Sequence, residues 1–366
     1  MTNQMTGQDF VAAPCLKEGS IALEAGKLVA ASRSLGSLPW QNVLRAWSVP
    51  CLFHNMERIF SSESDPVPAI RSSLTELTEL FKAASPESLG FLNRAADLSV
   101  GSASSEEDVE HVTGEHYGRL FEAFADASYW DEPKKLLQHR LEKNGVSLES
   151  IKGKTVLDAG CGGGRYTVAW RLLGAASAVG VDVSTTGLSD ARKRVAQARI
   201  ANVEFKEGNV LQLPVPDNAF DVVFSNGVLH HSVDWAKGAY ELLRVMKPGG
   251  LGWLYLIENP GGLFWDLIEI LRLVTKPVPR DLARASLRLI GIPGNRIFYM
   301  LDHVMVPINL RLTDGEIQRC LAAAGASNIR RLTRGTDFDR IEQIHLGQPY
   351  ARVKYGVGEH RYVFSK

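Results

Sequence analysis

A short glycine-rich segment carries the clearest chemical signal in the sequence. An apolar run ends at Asp158, and Gly160, Gly162 and Gly164 follow it. Glycines let a backbone approach a ligand closely and adopt positive φ angles, which other residues rarely do. In doubly wound α/β sheets, ligands bind at the carboxyl ends of the strands. We therefore predict that this loop, between a strand and a helix, contacts a ligand.

Two acidic residues and one missing glycine narrow the class of ligand. A dinucleotide loop of the pattern Gly-x-Gly-x-x-Gly would need glycine at position 165, where the chain has Arg165. A buried carboxylate at Asp158 disfavours a pyrophosphate and favours a cationic group. Asp182 ends the next predicted strand, where a carboxylate accepts hydrogen bonds from both ribose hydroxyls. The pattern indicates a ligand with a ribose and a positive charge but no phosphate.

Short β-rich runs alternate with helical segments around the loop. The predicted strands lie at residues 155–159, 178–182, 203–207, 220–225 and 251–258, and the predicted helices between them at 165–173, 185–201 and 235–246. Strands and helices that alternate at this spacing predict a parallel sheet covered on both faces. Residues 329–332 and 361–364 are candidates for two closing strands, and Thr313–Glu316 matches a helix capping box.

Several motifs in this order resemble those of class I S-adenosylmethionine-dependent methyltransferases, in the small-molecule group that includes the ubiquinone- and menaquinone-biosynthesis enzymes. They are the loop from Asp158 to Gly164, Val181–Asp182, Gly208–Asn209, Phe220–Val223 and Leu243–Gly250. The resemblance is strong over residues 150–260 and weak over 310–366. It implies an α/β fold with a Rossmann-like, doubly wound, mostly parallel sheet, and S-adenosylmethionine as cofactor.

The resemblance implies roles for the loop and for its two acids. Gly160, Gly162 and Gly164 would let the backbone pack against the methionine part of the cofactor. Asp158 would act near the amino group of the cofactor, and Asp182 would hold the ribose hydroxyls.

Three further residues match cofactor-binding positions of the family. Asn209 stands where the family most often has an aspartate that contacts the adenine amino group, and its carbonyl oxygen can accept the same hydrogen bond. Val210 would flank the adenine ring. Asn226 would offer its backbone to the methionine group.

Four residues are candidates for a general base. His230 and His231 follow the fourth predicted strand, where adjacent residues point to opposite sides, so that one at most faces the ligand. Glu258 ends the fifth predicted strand, and Tyr117 lies on a predicted helix of the kind that related enzymes place over the cofactor. The alternatives are structural: the histidines would bond backbone and pack the cofactor, and Glu258 would face solvent or cap a helix.

The residues that a methyltransferase core of this kind does not account for lie in two segments of the chain. We predict a helical N-terminal region at 1–110, a methyltransferase core at 111–258 and 310–366, and a helical cap inserted after the fifth strand at 259–309. Within the N-terminal region, Pro39 and Pro50 are expected to break the helical pieces.

Two features of the predicted cap leave alternatives open. Residues 263–274 are apolar around most of the helix, which fits a lid on the core, a homodimer contact, or a wall for a hydrophobic substrate or a membrane surface. Arg280, Arg284 and Arg288 recur at every fourth position and share one helical face. They would bind an anionic group or form a solvated face.

The composition excludes several classes of protein. The 366 residues carry 41 basic and 41 acidic side chains, and this zero net charge argues against a nucleic-acid partner held by bulk electrostatics. The four cysteines are scattered without a Cys-x-x-Cys pair, which argues against disulfides and against a metal site. No apolar run reaches the roughly 18 residues that a transmembrane helix needs. We expect a cytoplasmic protein without a transmembrane segment.

The sequence thus predicts methyl transfer from S-adenosylmethionine to a small, partly hydrophobic metabolite, on oxygen, nitrogen or carbon. Ser225–Val228 stands where enzymes that methylate DNA amines or protein amides have Asn/Asp-Pro-Pro-Tyr, so that chemistry is not expected. Three alternatives stay open: a methyltransferase acting on tRNA or protein, a non-catalytic cofactor-binding partner protein, and a nucleotide-dependent oxidoreductase.

Overall fold

Two units make up the part of the chain that the computed structural model describes, which is residues 21–36, 38–84 and 129–366. The helical unit contains the described residues up to 84, together with 260–290 and 349–357. The sheet unit contains 129–259, 291–348 and 358–366. The chain therefore enters each unit more than once.

Within the described residues, the sheet unit is built on one sheet of seven strands. In chain order they are β1 (Thr155–Ala159), β2 (Ser177–Asp182), β3 (Val203–Glu207), β4 (Phe220–Asn226), β5 (Met246–Leu256), β6 (Ser327–Arg331) and β7 (His360–Ser365). Their spatial order is β3-β2-β1-β4-β5-β7-β6, with β1 to β5 parallel and β7 antiparallel to both of its neighbours. The prediction of a Rossmann-like, mostly parallel sheet is confirmed.

Helices cover the sheet and form the helical unit. Those of the sheet unit are α4 (Asp131–Lys143), α5 (Arg165–Leu172), α6 (Thr185–Gln197), α7 (Trp235–Val245), α10 (Gly294–Met305), α11 (Asp314–Ala323) and α12 (Arg340–His345). Those of the helical unit are α1 (Ala22–Ser34), α2 (Pro39–Phe60), α3 (Pro66–Ala83), α8 (Gly262–Thr275), α9 (Arg280–Leu289) and α13 (Ala351–Tyr355). Across the described ranges, none of these helices combines the length and apolarity needed to cross a membrane.

Side chains on both faces of the central strands are buried, as expected for parallel strands between two layers of helices. Val156, Leu157 and Ala159 of β1 are each 0% exposed. Leu157 and Ala159 belong to one hydrophobic cluster and Val156 to another, because successive side chains of a strand point to opposite faces. The ends predicted for β1 and β3 match the observed ones.

β5 begins earlier than predicted. It starts at Met246, and Lys247–Gly250 lie within it as an irregular segment, because the register shifts between the pairs Phe220–Met246 and Val222–Leu251. Gly249 donates its backbone N–H to the carbonyl oxygen of Lys366 at 3.0 Å. This bond joins the irregular segment to the residue that follows β7.

α8 lies at the centre of the helical unit, where it packs against α1, α2 and α13. Gly262, at its start, and Gly356, after α13, both have positive φ angles. A Cβ atom on Gly356 would lie 2.1 Å from the carbonyl oxygen of Pro260. This close backbone approach explains why residues 349–357 belong to the helical unit, whereas the sequence analysis placed them in the methyltransferase core.

The predicted cap, residues 259–309, is divided between the two units. α8 and α9 belong to the helical unit, and α10 belongs to the sheet unit. The apolar circumference of α8 is buried, with helices of its own unit packed against it. Of the three spaced arginines, Arg284 lies 3.6 Å from Asp281 and Arg288 is exposed.

Pro50 does not break α2, contrary to the prediction. The helix runs from Pro39 to Phe60 with Pro50 in its interior. Proline inside a helix costs about 3 kcal/mol, whereas each fully buried Leu or Phe side chain contributes roughly 1.5–3 kcal/mol. Leu52 and Phe53, which follow the proline, are each 1% exposed. Burial of these side chains therefore outweighs the lost backbone hydrogen bond.

A chain of buried ion pairs, here called the charge network, runs through the sheet unit. Its members alternate in sign and are Arg140, Asp339, Arg361, Glu359, Arg340 and Glu258. Side-chain exposure ranges from 0% for Glu258 to 13% for Arg340. Because the signs alternate, each buried charge lies beside an opposite one, which offsets the loss of hydration.

Asp339 is the most highly bonded carboxylate of this network. It accepts hydrogen bonds from Arg140 Nε at 2.9 Å and Nη2 at 2.7 Å, and from Arg361 Nη2 at 3.0 Å. Burial raises the pKa of Asp339, but the charge of Arg361 and the bonds from Arg140 outweigh burial and hold that pKa well below its usual range. The carboxylate is therefore ionised at neutral pH.

Asp339→Asn is expected to lower the free energy of unfolding by about 3–5 kcal/mol, because two buried arginines would lose their counter-charge. Urea denaturation monitored by circular dichroism measures the change. Asp337→Asn is the matched control, since its side chain is 97% exposed and lies 3.4 Å from Lys143. Such surface pairs contribute about 0–1 kcal/mol. Equal losses in the two variants would contradict the expected role of Asp339.

Candidate functional site

The glycine loop, residues 160–164, connects β1 to α5 at the carboxyl end of the sheet. Its first, third and fifth residues have φ angles of 82°, 51° and 73°. A Cβ atom on Gly160 would lie 2.4 Å from the side chain of Val228, and one on Gly164 would lie 2.5 Å from the ring of Phe205. Both the backbone conformation and the packing therefore require glycine.

Asp182, the last residue of β2, binds this loop. Its Oδ2 accepts a hydrogen bond from the N–H of Gly162 at 2.8 Å, and its Oδ1 accepts one from the N–H of Ser184 at 2.8 Å. The carbonyl oxygen of Val181 accepts another from the N–H of Gly160 at 2.8 Å. Side chain and backbone at the end of β2 thus fix the position of the loop.

Asp158 is buried at the end of β1 and is 2% exposed. Its Oδ2 accepts a hydrogen bond from the Thr167 hydroxyl at 2.7 Å. Burial raises the pKa of Asp158 to about 7; the bond from Thr167 opposes the rise and the charge of Asp182 adds to it. The carboxyl group therefore changes charge near neutral pH. Thr167 was not identified from the sequence, because a threonine on the buried face of a helix has no distinguishing local pattern.

Asn209 and Val210 follow β3 beside the end of β2. The N–H of Gly208 bonds the carbonyl oxygen of Asp182 at 3.0 Å. The Oδ1 of Asn209 accepts a hydrogen bond from the N–H of Leu211 at 2.8 Å. Val210 is partly buried and packs against the hydrophobic core. These contacts bring Asn209 and Asp182 to the same edge of the sheet.

Asn226 ends β4, and its side chain is used within the sheet. The indole Nε1 of Trp253 donates to its Oδ1 at 3.3 Å. The next residue, Gly227, has a φ angle of 81° and donates its N–H to the carbonyl oxygen of Tyr255 at 3.2 Å. The contact of the Asn226 backbone with a ligand stays a prediction.

His230 and His231 lie on a 3₁₀ turn, Leu229–His231, and not on an extended strand. Their ring centroids are 4.1 Å apart, so the prediction that they point to opposite sides is wrong. The turn rotates successive side chains by much less than a strand does. His230 is 2% exposed, and burial, reinforced by the neighbouring His231, holds its pKa well below the usual range. His230 is therefore neutral at neutral pH.

The ring of His231 is oriented by the backbone. Its Nδ1 lies 2.8 Å from the carbonyl oxygen of Ile308. A carbonyl oxygen can only accept, so the neutral ring carries its proton on Nδ1 and has its basic lone pair on Nε2. His303 on α10 has the same arrangement, with Nδ1 2.7 Å from the carbonyl oxygen of Tyr299.

Glu258 is neither exposed nor a helix cap, contrary to the structural alternatives for it. It is 0% exposed and follows β5. The guanidinium of Arg340 donates from Nε to Oε1 at 2.9 Å and from Nη2 to Oε2 at 3.3 Å. Arg340 was not identified from the sequence, because the pair is separated by 82 positions. Arg340 thus engages both carboxylate oxygens of Glu258.

The loop, Asp182 and Asn209 are thus brought together at one edge, with His231 and Glu258 after the neighbouring strands β4 and β5. Tyr117 lies outside the described residues. In the described ranges, no group of three or more His, Cys, Asp or Glu side chains is placed to hold a metal ion. A glycine loop and a carboxylate at the ends of β1 and β2, in a sheet of this order, define a Rossmann-like nucleoside-binding domain.

Comparison with known proteins identifies the class of this domain. Residues 157–254 match the family model described as a methyltransferase domain. Over 202 residues the chain is 29% identical to a 27-O-demethylrifamycin SV methyltransferase of Amycolatopsis mediterranei, a match covering 49% of this chain and 74% of that protein.

Two further relatives match over shorter regions. A probable S-adenosylmethionine-dependent methyltransferase of Mycolicibacterium smegmatis is 31% identical over 41% of this chain and 51% of its own length. A demethylmenaquinone methyltransferase of Listeria monocytogenes is 37% identical over 27% of this chain and 43% of its own length. The chain thus spans about half the length, or less, of these two proteins.

The protein carries a methyltransferase domain of the class I, S-adenosylmethionine-dependent type. S-adenosylmethionine is the cofactor of this class. The resemblance inferred from the motifs in the sequence is confirmed.

The carboxyl group of Asp158 is expected to titrate near pH 7. The folded state would then hold a proton that the unfolded state releases above about pH 4, so this group favours folding more as pH falls from 7 to 4. Thr167→Val should raise the pKa of Asp158 further, because it removes a hydrogen bond to the ionised form. The ¹³C shift of the labelled carboxyl group measures both values.

Thr275→Val is the control for this titration, since its hydroxyl is also buried but bonds the carbonyl oxygen of Leu271. It should leave the pKa of Asp158 unchanged. A wild-type carboxyl group that titrates near pH 4 would contradict the expectation.

Proposed function

We propose that the protein transfers the methyl group of S-adenosylmethionine to a small, partly hydrophobic acceptor. The observation that carries the proposal is the Asp182 carboxylate bound to the glycine loop inside a methyltransferase domain. A nucleoside that carries a methionine group needs a backbone that it can approach closely and an acceptor for its ribose hydroxyls. The glycine loop and the Asp182 carboxylate would supply these two groups.

The donor and acceptor groups at the edge of the sheet fit this cofactor. Asp182 accepts hydrogen bonds from the N–H groups of Gly162 and Ser184, and its carboxylate, a group with about four acceptor positions, would also receive the ribose hydroxyls. Asp158, when ionised, would favour the cationic amino group. Asn209 would accept from the adenine amino group, Val210 would flank the adenine ring, and the backbone of Asn226 would contact the methionine group.

Two observations support a small, partly hydrophobic acceptor. The formal net charge is zero, which gives no bulk attraction for RNA. The relatives include methyltransferases named for 27-O-demethylrifamycin SV and for demethylmenaquinone. The acceptor of this chain would belong to the same broad class of small molecules.

His231 is the proposed general base. When bound, the cofactor supplies an electrophilic methyl group, so the protein has to orient the acceptor and, for an O–H or N–H acceptor, receive its proton. The bond to the Ile308 carbonyl fixes the ring with Nε2 as the basic atom. Glu258 is a weaker candidate because both of its carboxylate oxygens accept hydrogen bonds from Arg340. His230, buried and neutral beside His231, would hold that ring in place.

Asp182→Ala is expected to weaken the binding of S-adenosylhomocysteine about 10- to 100-fold, because hydrogen bonds to a charged group contribute roughly 1.5–3 kcal/mol. Isothermal titration calorimetry measures the affinity. Asp217→Ala is the control, since that carboxylate is 67% exposed and pairs with Arg244. Absence of binding by the wild type, or equal binding by all three proteins, would overturn the cofactor assignment.

The size of the acceptor can be tested without knowing its identity. A cell extract containing metabolites, RNA and protein is incubated with the enzyme and methyl-labelled S-adenosylmethionine. The label is expected in metabolites that pass into an organic solvent, and Asp182→Ala should abolish its transfer. Label in acid-precipitated protein or RNA would instead indicate a macromolecular substrate, and no transfer at all would favour a non-catalytic cofactor-binding protein.

A further inference from the structure

Tyr129 lies just before α4, and its side chain reaches the glycine loop. The residue is 1% exposed. Its hydroxyl donates a hydrogen bond to the carbonyl oxygen of Gly163 at 2.7 Å, across 34 positions of sequence. Gly163 stands between Gly162 and Gly164, both with positive φ angles. The hydroxyl therefore contacts a run of three glycines, which have no side chains of their own to restrain the backbone.

The ring of Tyr129 is held from several elements. The guanidinium of Arg194, on α6, lies 4.2 Å from the ring centroid, and that of Arg165, on α5, lies 5.6 Å away. Both cations are fixed in turn, because Arg194 pairs with Asp190 at 2.7 Å and Arg165 pairs with Glu132 at 2.6 Å. Arg165 also donates from Nε to the Tyr129 carbonyl oxygen at 3.2 Å. The hydroxyl is thus presented to the loop from a rigid position.

The glycine loop needs such a contact more than an ordinary turn does. Glycine has the largest conformational freedom to lose, so an unrestrained loop would have to be ordered when a ligand binds. Asp182 restrains the loop through the N–H of Gly162. Tyr129 restrains the next residue through its carbonyl oxygen. The two contacts hold adjacent residues of the loop, Gly162 by its N–H and Gly163 by its carbonyl oxygen.

The hydroxyl keeps its proton at neutral pH. Burial and the charge of Asp190 raise the pKa of Tyr129 well above its usual range. A carbonyl oxygen only accepts hydrogen bonds, so a protonated phenol is the form that this contact requires.

We propose that Tyr129 is a positioning residue for the cofactor site, whose hydroxyl holds the Gly163 carbonyl and keeps the glycine loop in the conformation that receives S-adenosylmethionine. The proposal rests on the proposed function, since the loop is assigned to the cofactor. It adds a residue outside the recognised motifs, at the point where the chain enters α4. Loss of the hydroxyl would weaken cofactor binding without removing any group that touches the cofactor.

Tyr129→Phe tests the proposal, with S-adenosylhomocysteine as the probe in calorimetry on the full chain. The affinity is expected to fall about three- to tenfold, the range that one hydrogen bond supplies. Tyr362→Phe is the matched control: that tyrosine is 0% exposed and its hydroxyl bonds Asp314, on α11. The Tyr362→Phe variant also loses a buried tyrosine hydroxyl, and its affinity for S-adenosylhomocysteine should stay within about twofold of wild type. Thermal unfolding of both variants records any general loss of stability.

Two results would overturn the proposal while leaving the cofactor assignment intact. One is unchanged affinity in Tyr129→Phe. The other is an equal loss of affinity in both variants, which would reflect general destabilisation. If the wild type itself does not bind S-adenosylhomocysteine, the proposed function fails first.

Amide hydrogen exchange measures the loop without any cofactor. Tyr129→Phe should speed exchange at residues 162–164 by about the same three- to tenfold factor, because the loop opens more often. The exchange of Tyr362→Phe at these residues should match the wild type. Unchanged exchange in Tyr129→Phe would show that the hydroxyl does not hold the loop, whatever the outcome of the binding experiment.

Discussion

The contact between the Asp182 carboxylate and the N–H of Gly162 is the one on which the candidate site depends. It joins the end of β2 to the loop that follows β1, so two parallel strands define the position of one binding edge. Because this contact orders the loop before any ligand binds, the proposed cofactor would meet a backbone that needs little rearrangement.

Burial and pairing divide the acidic residues of the sheet unit between two roles. Asp158 and Asp182 lie close enough to the loop to act on a cofactor. Glu258 lies at an equally suitable strand end, but Arg340 forms two hydrogen bonds with it and draws it into the charge network. The carboxylates of the network pair with arginines of α4, α12 and β7, which places their charges away from the glycine loop's own contacts.

The imidazole rings near the site also differ in burial and in their hydrogen-bond partners. His230 is buried and neutral, and it packs against His231. His231 and His303 each have Nδ1 at a backbone carbonyl oxygen, which fixes the tautomer and the direction of Nε2. Backbone of α10 and of the segment after it therefore orients these two rings, while the ends of the strands position the glycine loop.

The sequence by itself determined the elements whose signals are local. Alternating strands and helices, the glycine loop, the two acids at the ends of β1 and β2, and the capping box at Thr313–Glu316 were all predicted and are present. These features follow from periodicity and backbone chemistry within a few residues. Tertiary structure decided the rest: the arginine partner of Glu258, the adjacent rings of His230 and His231, the unbroken helix at Pro50 and the division of the predicted cap. Each depends on burial or on contacts between distant positions, which no local pattern records.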